Sequence, residues 1–242
     1  MKPTAVILND TRGDAHFGCA RVMASVENGL LQRGVNILAT SHVRNDWLRD
    51  GPFLAAMDKS DLIVVNGEGT LHHGTKYGER LLCVATHPAR QGKKAILINA
   101  LYQENPPHWG NYLRHFDLRV ARDHASQREM EKACSLPVLV CPDLSLSEGR
   151  IEPPAIAQAR QLITIGDSVQ KNKRAALGKL RRVIPDVCSI SIRSQLKSPK
   201  NYKFATLRSL RTLYAWTYDR WATLVDPSLI IPTSQDEFLG WL

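Results

Sequence analysis

The chain has 242 residues, 43% of them hydrophobic and 23% charged, with a formal net charge of +9; that is enough apolar material for a sizeable core in one large domain or two small ones. Its longest apolar runs, such as residues 5–8 and 62–65, fall far short of the ~20 residues a membrane span needs, and a strand-like run starting at Ala5 leaves no room for a signal peptide's apolar region. Five scattered cysteines, odd in number and never in a CxxC pair, suit reduced thiols in a cytoplasm better than a disulfide framework or a zinc site.

Residues 5–8 read as a first strand and 9–14 as a polar loop. A helix fits 16–33, with Val22, Val26, Leu30 and Leu31 at helical spacing and Gly34 as a stop signal. A second strand follows at 35–39, then a helix at 46–57 that Gly51-Pro52 interrupts. Residues 62–65, Leu-Ile-Val-Val, are apolar throughout and mostly β-branched, as a strand buried on both faces requires. A helix is expected over 77–91, a strand over 95–98, an irregular piece over 102–107 and a helix over 109–116. The series closes with a strand at 118–121, a helix at 125–133 and a strand at 138–141. Strands alternating with helices at this spacing predict an α/β fold, a Rossmann-like parallel sheet, because parallel neighbours need crossover connections. This first domain covers 1–146. Residues 147–154 form the expected linker, since Pro153-Pro154 blocks both helix and ladder. The pattern then restarts as a partial second α/β lobe over 155–242: a strand at 162–165, a basic helix at 171–183, a strand at 187–192, one or two helices within 204–224, a strand at 229–231, and a capping-box start at Ser234 and Glu237.

The charge is unevenly spread. Residues 151–242 carry 14 Lys+Arg against 7 Asp+Glu, so the basic excess belongs to the C-terminal part. Such a field favours anionic partners, among them phosphorylated small molecules and anionic membrane surface. The basic, aromatic stretch 197–221 suits peripheral contact with anionic lipid or, more plainly, a helix pair packed on the second lobe. No recognised nucleic-acid module accompanies the charge, and no nucleic-acid partner is expected.

Immediately beyond the 62–65 strand the chain reads Asn66-Gly67-Glu68-Gly69-Thr70-Leu71-His72-His73-Gly74. Loops leaving the carboxyl ends of parallel strands converge on ligands. Glu68, His72 and His73 are candidates for acid and base, since imidazole exchanges protons near neutral pH. Gly67 and Gly69 let backbone N–H groups approach a ligand. Arg122, at a later strand exit, suits a bidentate contact with carboxylate or phosphate. Each has a plainer role open to it: Glu68 as a helix cap, the histidines as solvated or packed side chains, Arg122-Asp123 as a structural pair with Asp123 capping the next helix, His16 as a first-turn residue, Arg12 as a loop charge. The loop lacks the spacing of a dinucleotide fingerprint or a P-loop. Two histidines without a third spaced ligand make a poor zinc signature, so no cofactor is expected and a divalent metal is an option without support.

Together, Asn9-Asp10-Thr11-Arg12, the segment from His16 to Met23, the loop from Asn66 to Gly74, the segment from Val120 to Ser126 containing Arg122-Asp123, and the segment from Cys141 to Leu146 resemble the polysaccharide pyruvyl transferase family over roughly the first 146 residues. The resemblance implies a two-lobed, GT-B-like enzyme of cell-surface polysaccharide assembly, cytoplasmic or peripheral to the inner face of the membrane. It implies transfer of a pyruvyl group from phosphoenolpyruvate to the hydroxyls of a nucleotide- or lipid-linked sugar, as a ketal. Glu68, His72 and His73 would be catalytic; Asn9, Arg12, His16, Asn66, Gly67, Gly69, Thr70, Arg122 and Asp123 would bind substrate. The family's second-lobe Gly-Arg-Phe-His-like motif is missing: all eight histidines lie at or before His124. By position it would fall just past Leu242, so a truncated chain is the expectation. Two other readings stay open: a glycosyltransferase using a nucleotide-activated sugar, and a non-catalytic binding or scaffold protein.

Overall fold

A computed structural model describes residues 2–14 and 16–147 and, beyond them, residues 163–166, 187–191 and 229–232, with isolated positions between 173 and 184 and at 213. The chain divides into two compact units, one formed by Met1–Arg12 with Arg21–Gly149 and the other by Gly13–Ala20 with Arg150–Leu242. The expected linker from residue 148 onward, most of the basic helix at 171–183, the helices within 204–224 and the start at Ser234 lie outside the described residues.

The first unit is an α/β fold around six parallel strands: β1 (Thr4–Asp10), β2 (Asn36–His42), β3 (Leu62–Asn66), β4 (Lys94–Ala100), β5 (Leu118–Ala121) and β6 (Leu139–Val140), in the order β2-β1-β3-β4-β5-β6. The helices between them are α1 (Phe17–Gln32), α2 (Gly51–Asp58), α3 (Lys76–Leu82), α4 (Trp109–Leu113) and α5 (His124–Cys134). Alternate strand residues feed two cores. Val6, Leu8, Ile63 and Val65 pack with Phe53 and Met57 of α2, Leu81 and Leu82 of α3, Trp109 of α4 and Met130 of α5. Ile7 and Val64 face the other way, onto Met23 and Val26 of α1. Burial on both faces is why these strands read as unbroken apolar runs. Right-handed crossovers explain the arrangement: the step from β1 to β2 runs one way along the sheet, and every later step runs the other.

Local chemistry sets the boundaries that periodicity alone misplaces. The helix expected over 46–57 is a 3-10 turn, Trp47–Arg49, followed by α2, because Asp50 accepts the Phe53 amide N–H (3.1 Å) and Pro52 suits only a first turn. The helix expected over 77–91 stops at Leu82 and continues as 3-10 turns, Cys83–Thr86 and Pro88–Arg90. Pro88 has no N–H to continue an α-helical ladder, and the residue before it, His87, is extended. β2 and β4 run longer than expected, to His42 and Ala100.

In the second unit, β7 (Ile163–Gly166), β8 (Val187–Ile190) and β9 (Leu229–Ile230) form a parallel sheet in that order, with Cys188 and Ile190 buried. Among the described residues no helix is long and apolar enough to cross a membrane.

Candidate functional site

The strand order reverses between β1 and β3. Chains leaving these neighbours diverge toward helices on opposite faces, and the crevice so opened beyond the carboxyl ends is where doubly wound sheets hold ligands. Asn9, Asp10 and Thr11 come to it from β1, and the loop from Asn66 to Thr70 comes from β3.

Its floor is a row of three asparagines on adjacent strands: Asn9, Asn66 and Asn99, each at most 2% exposed. Asn9 and Asn99 both sit where the ladder slips register, between Leu8 and Asp10 in β1 and between Leu97 and Ala100 in β4. Both have left-handed backbones, with φ of 68° and 53°. Asparagine tolerates that region better than other residues bearing a Cβ, and an extra residue in a ladder re-aims its side chain. The Asn9 amide donates to the carbonyls of Asn66 (2.7 Å) and Glu68 (3.2 Å) and meets Thr70 Oγ1 (3.2 Å). Asn66 Nδ2 donates to the Asn9 carbonyl (3.3 Å), while Asn66 Oδ1 accepts the Glu68 amide (3.2 Å) and faces Asn99 Nδ2 (3.5 Å). Asn99 Oδ1 in turn accepts the Leu144 amide (3.3 Å). The sequence pointed to Asn9 and Asn66 but not to Asn99, which lies at the end of an apolar run.

Glu68 stands on this floor, half-buried. Its Oε2 accepts the Thr11 hydroxyl at 2.8 Å and lies 3.5 Å from Asn66 Nδ2. No hydrogen bond engages Oε1 among the described residues. The flanking glycines have separate reasons. At Gly67 a Cβ would come within 2.7 Å of Ala100 Cα, so only glycine lets β3 and β4 exit this closely; Gly69 has φ of 61°. The rest of the loop is laced to the segment after β4. Leu71 O accepts from Gln103 N (3.2 Å) and Asn105 Nδ2 (2.8 Å), His73 N donates to Gln103 O (2.9 Å), and Gly74 N donates to Asn105 Oδ1 (3.1 Å). Gln103 and Asn105, which brace the loop, fall in the piece that sequence reasoning left irregular.

The two histidines part company. His72 Nε2 lies 3.1 Å from the Gly69 carbonyl, which requires that nitrogen to carry the proton; the buried Nδ1 has no partner, leaving an unused lone pair in the neutral ring. His73, at φ 55°, turns outward, and its Nδ1 pairs with the exposed Glu104 at 2.8 Å. The rings meet edge to face, 5.1 Å apart.

Arg12 is engaged by carboxylates. It binds both oxygens of Asp10 (2.9 and 2.8 Å) and both of Glu27 on α1 (3.0 and 2.7 Å). Burial pushes the Asp10 carboxyl up, but the hydrogen bonds and charge of Arg12, with His42 at 3.5 Å, more than reverse this and hold it below the ordinary carboxylate range. The hydrogen bonds that Arg12 donates to Asp10 likewise raise its own guanidinium above its usual value. His16 belongs to the second unit, where its Nδ1 accepts the Cys19 amide N–H (3.4 Å) in the first turn of α1. Arg122 pairs with Asp143 (3.0 Å), and Asp123 caps α5 by accepting the Ser126 amide (2.7 Å). These are the structural roles open to both from the sequence. No hydrogen bond or ion pair joins Arg122 to Glu68, His72 or His73; its guanidinium is held by Asp143 beyond β5, two strands from β3.

Among the described residues no group of three or more His, Cys, Asp or Glu side chains could hold a metal ion. The sequence matches no protein-family model and no curated protein.

Proposed function

We propose that this chain is a transferase of the polysaccharide pyruvyl transferase type, GT-B-like in design, acting in the cytoplasm or at the inner membrane face on a nucleotide- or lipid-linked sugar. The observation that supports this reading best is Glu68. Its carboxylate stands at the sheet's switch crevice with Oε2 held by Thr11 and Oε1 left for a ligand. A pyruvate ketal forms when the methylene carbon of phosphoenolpyruvate takes a proton, one sugar hydroxyl adds to the adjacent carbon, a second hydroxyl displaces phosphate, and both hydroxyl protons are removed. The reaction therefore needs an acid, a base and a preorganised polar frame. Glu68 suits the base acting on a hydroxyl. Of the two histidines, His72 is fixed on Gly69 O with its other nitrogen buried and His73 is paired with the exposed Glu104, so it is Glu68 that carries the reading. The asparagine floor would keep Glu68 in place without competing for the proton.

The test is phosphate release from phosphoenolpyruvate by the purified chain, over a panel of nucleotide- and lipid-linked sugars. Acceptor-dependent release that Glu68→Gln abolishes supports the reading. Stabilisation by UDP- or CMP-sugars, with no response to phosphoenolpyruvate, would transfer the site to glycosyl transfer. Glu68→Gln leaving turnover unchanged would remove Glu68 from the chemistry.

A further inference from the structure

Arg12 stands next to Thr11, the residue that holds Glu68, yet neither of its forks is open to a ligand. A guanidinium presents two edges to planar partners, Nε with Nη2 and Nη1 with Nη2. Both are occupied: Nε and Nη2 meet the two oxygens of Asp10 (2.9 and 2.8 Å), and Nη1 and Nη2 meet the two of Glu27 on α1 (3.0 and 2.7 Å). We infer that Arg12 is a positioning residue of the Glu68 site. Held by Asp10 and Glu27, it fixes the turn that aims the Thr11 hydroxyl at Glu68 Oε2, and so leaves Oε1 as the oxygen offered to the substrate.

The turn closes around Thr11. Asp10 Oδ1 accepts the backbone N–H of Arg12 (3.0 Å) as well as its Nε, so main chain and side chain of one arginine clasp the same carboxylate. An aspartate oxygen bonded to the amide two residues on makes an Asx turn, with the intervening residue at its corner. That corner is Thr11, the first residue of a 3-10 turn, Thr11–Asp14. The base of the turn is fixed too: Asp10 O accepts Val43 N (2.9 Å) from the chain leaving β2, and Asn9 is tied to the carbonyls of Asn66 and Glu68. Thr11 is 3% exposed, which leaves its hydroxyl little water to turn to. An ionised carboxylate only accepts, so at 2.8 Å from Glu68 Oε2 the hydroxyl donates. Glu27 anchors the far side. A pair with Asp10 alone would move with the turn; the second fork ties the corner to α1, whose Met23 and Val26 are packed in the core. Without Arg12, Asp10 would keep a buried charge that has lost both its forked partner and the clasp on the turn. A reacting group displaced by about 1 Å loses roughly 10²-fold in rate, so a brace this close to Glu68 acts on turnover.

The effect on turnover rests on the transferase reading, whereas the hold on the loop does not, and two measurements on the 242-residue chain keep them apart. The first is initial rates with phosphoenolpyruvate and an acceptor. In Arg12→Gln and Thr11→Val, kcat should fall about tenfold or more while KM for phosphoenolpyruvate stays within about twofold, and Thr11→Ser, which keeps the hydroxyl, should stay close to wild type. A KM that rises in Arg12→Gln while kcat holds would make Arg12 a substrate ligand and overturn the inference. Rates that neither variant changes, or a Thr11→Ser chain as slow as Thr11→Val, overturn it as well. The second is amide hydrogen exchange read by mass spectrometry, which needs no substrate. Peptides covering residues 66–70 should exchange about tenfold faster in Arg12→Gln and Thr11→Val, at the wild-type rate in Thr11→Ser, with β5 unaffected throughout. If no acceptor supports turnover by the wild-type chain, the transferase reading fails and exchange alone decides. Unchanged protection of the loop overturns the positioning role, and so does faster exchange across the whole sheet, which lost stability alone would give. Should Arg12→Gln not fold, Arg12→Lys takes its place with the same expected outcomes, because lysine keeps a charge for Asp10 but cannot fork onto two carboxylates.

Discussion

At the amino-terminal end of the six-stranded sheet, two carboxylates tie neighbouring strands together, and one of them, Asp117, has both oxygens engaged. Asp61, just before β3, accepts both the backbone N–H and the hydroxyl of Thr4 at 2.8 Å, tying the starts of β1 and β3 together. Asp117, just before β5, accepts Ala95 N (2.8 Å), Lys94 Nζ (2.9 Å) and Arg90 Nη2 (2.7 Å). At the carboxyl end, Glu68 has one oxygen engaged and one without a partner, His72 has a nitrogen without one, and the backbone adopts left-handed conformations at Asn9, Gly69 and Asn99. At Asp117 both oxygens are engaged from within the fold, while Glu68 keeps its second oxygen at the mouth of the switch crevice, a difference of position that charge alone would not show.

That contrast can be broken at both ends. The largest effect is expected at Glu68: Glu68→Gln keeps the Thr11 contact, so turnover with phosphoenolpyruvate should fall about 10²- to 10⁴-fold while the melting temperature stays close to wild type. Gly67→Ala should damage both properties, because the new Cβ would overlap Ala100 backbone at 2.7 Å. A loss of about 1–3 kcal/mol in urea unfolding is expected, as for other overpacked sites. The smallest effect belongs to the amino-terminal clamp. Burial raises the Asp117 carboxyl, but the Ala95 N–H, Lys94 and Arg90 outweigh it and bring it to about 2 from an ordinary 3.8. A carboxyl depressed on folding stabilises the folded chain above its unfolded value, and that contribution disappears as pH falls from about 4 to about 2. Asp117→Asn should therefore cost about 1 kcal/mol at neutral pH, given its partial exposure, and show a shallower acid decline than wild type, with catalysis untouched.

Much of the fold could be read directly from residue pattern. The run at 62–65 became β3, the strand at 118–121 kept its bounds, and the alternation of strands and helices gave a parallel sheet, because apolar runs buried on both faces have few other homes. The helix written through Pro88 shows where periodicity overruled a stronger local signal. The site was legible only in part. Glu68 was marked by two glycines beyond a strand, but His72 and His73 looked equivalent; the left-handed turn at His73 separates them, and nothing in adjacent identical residues announces it. Asn99 was invisible because an extra residue in β4 breaks strand alternation, so position along the run no longer tells which way a side chain is aimed.

The asparagine row has one more consequence. Carboxamides neither gain nor lose protons across the range in which proteins stay folded, so the ground beneath Glu68 keeps its shape and polarity from acid to alkaline solution. A bell-shaped rate curve measured on this chain would thus owe nothing to the asparagines; it would describe the groups that do exchange protons.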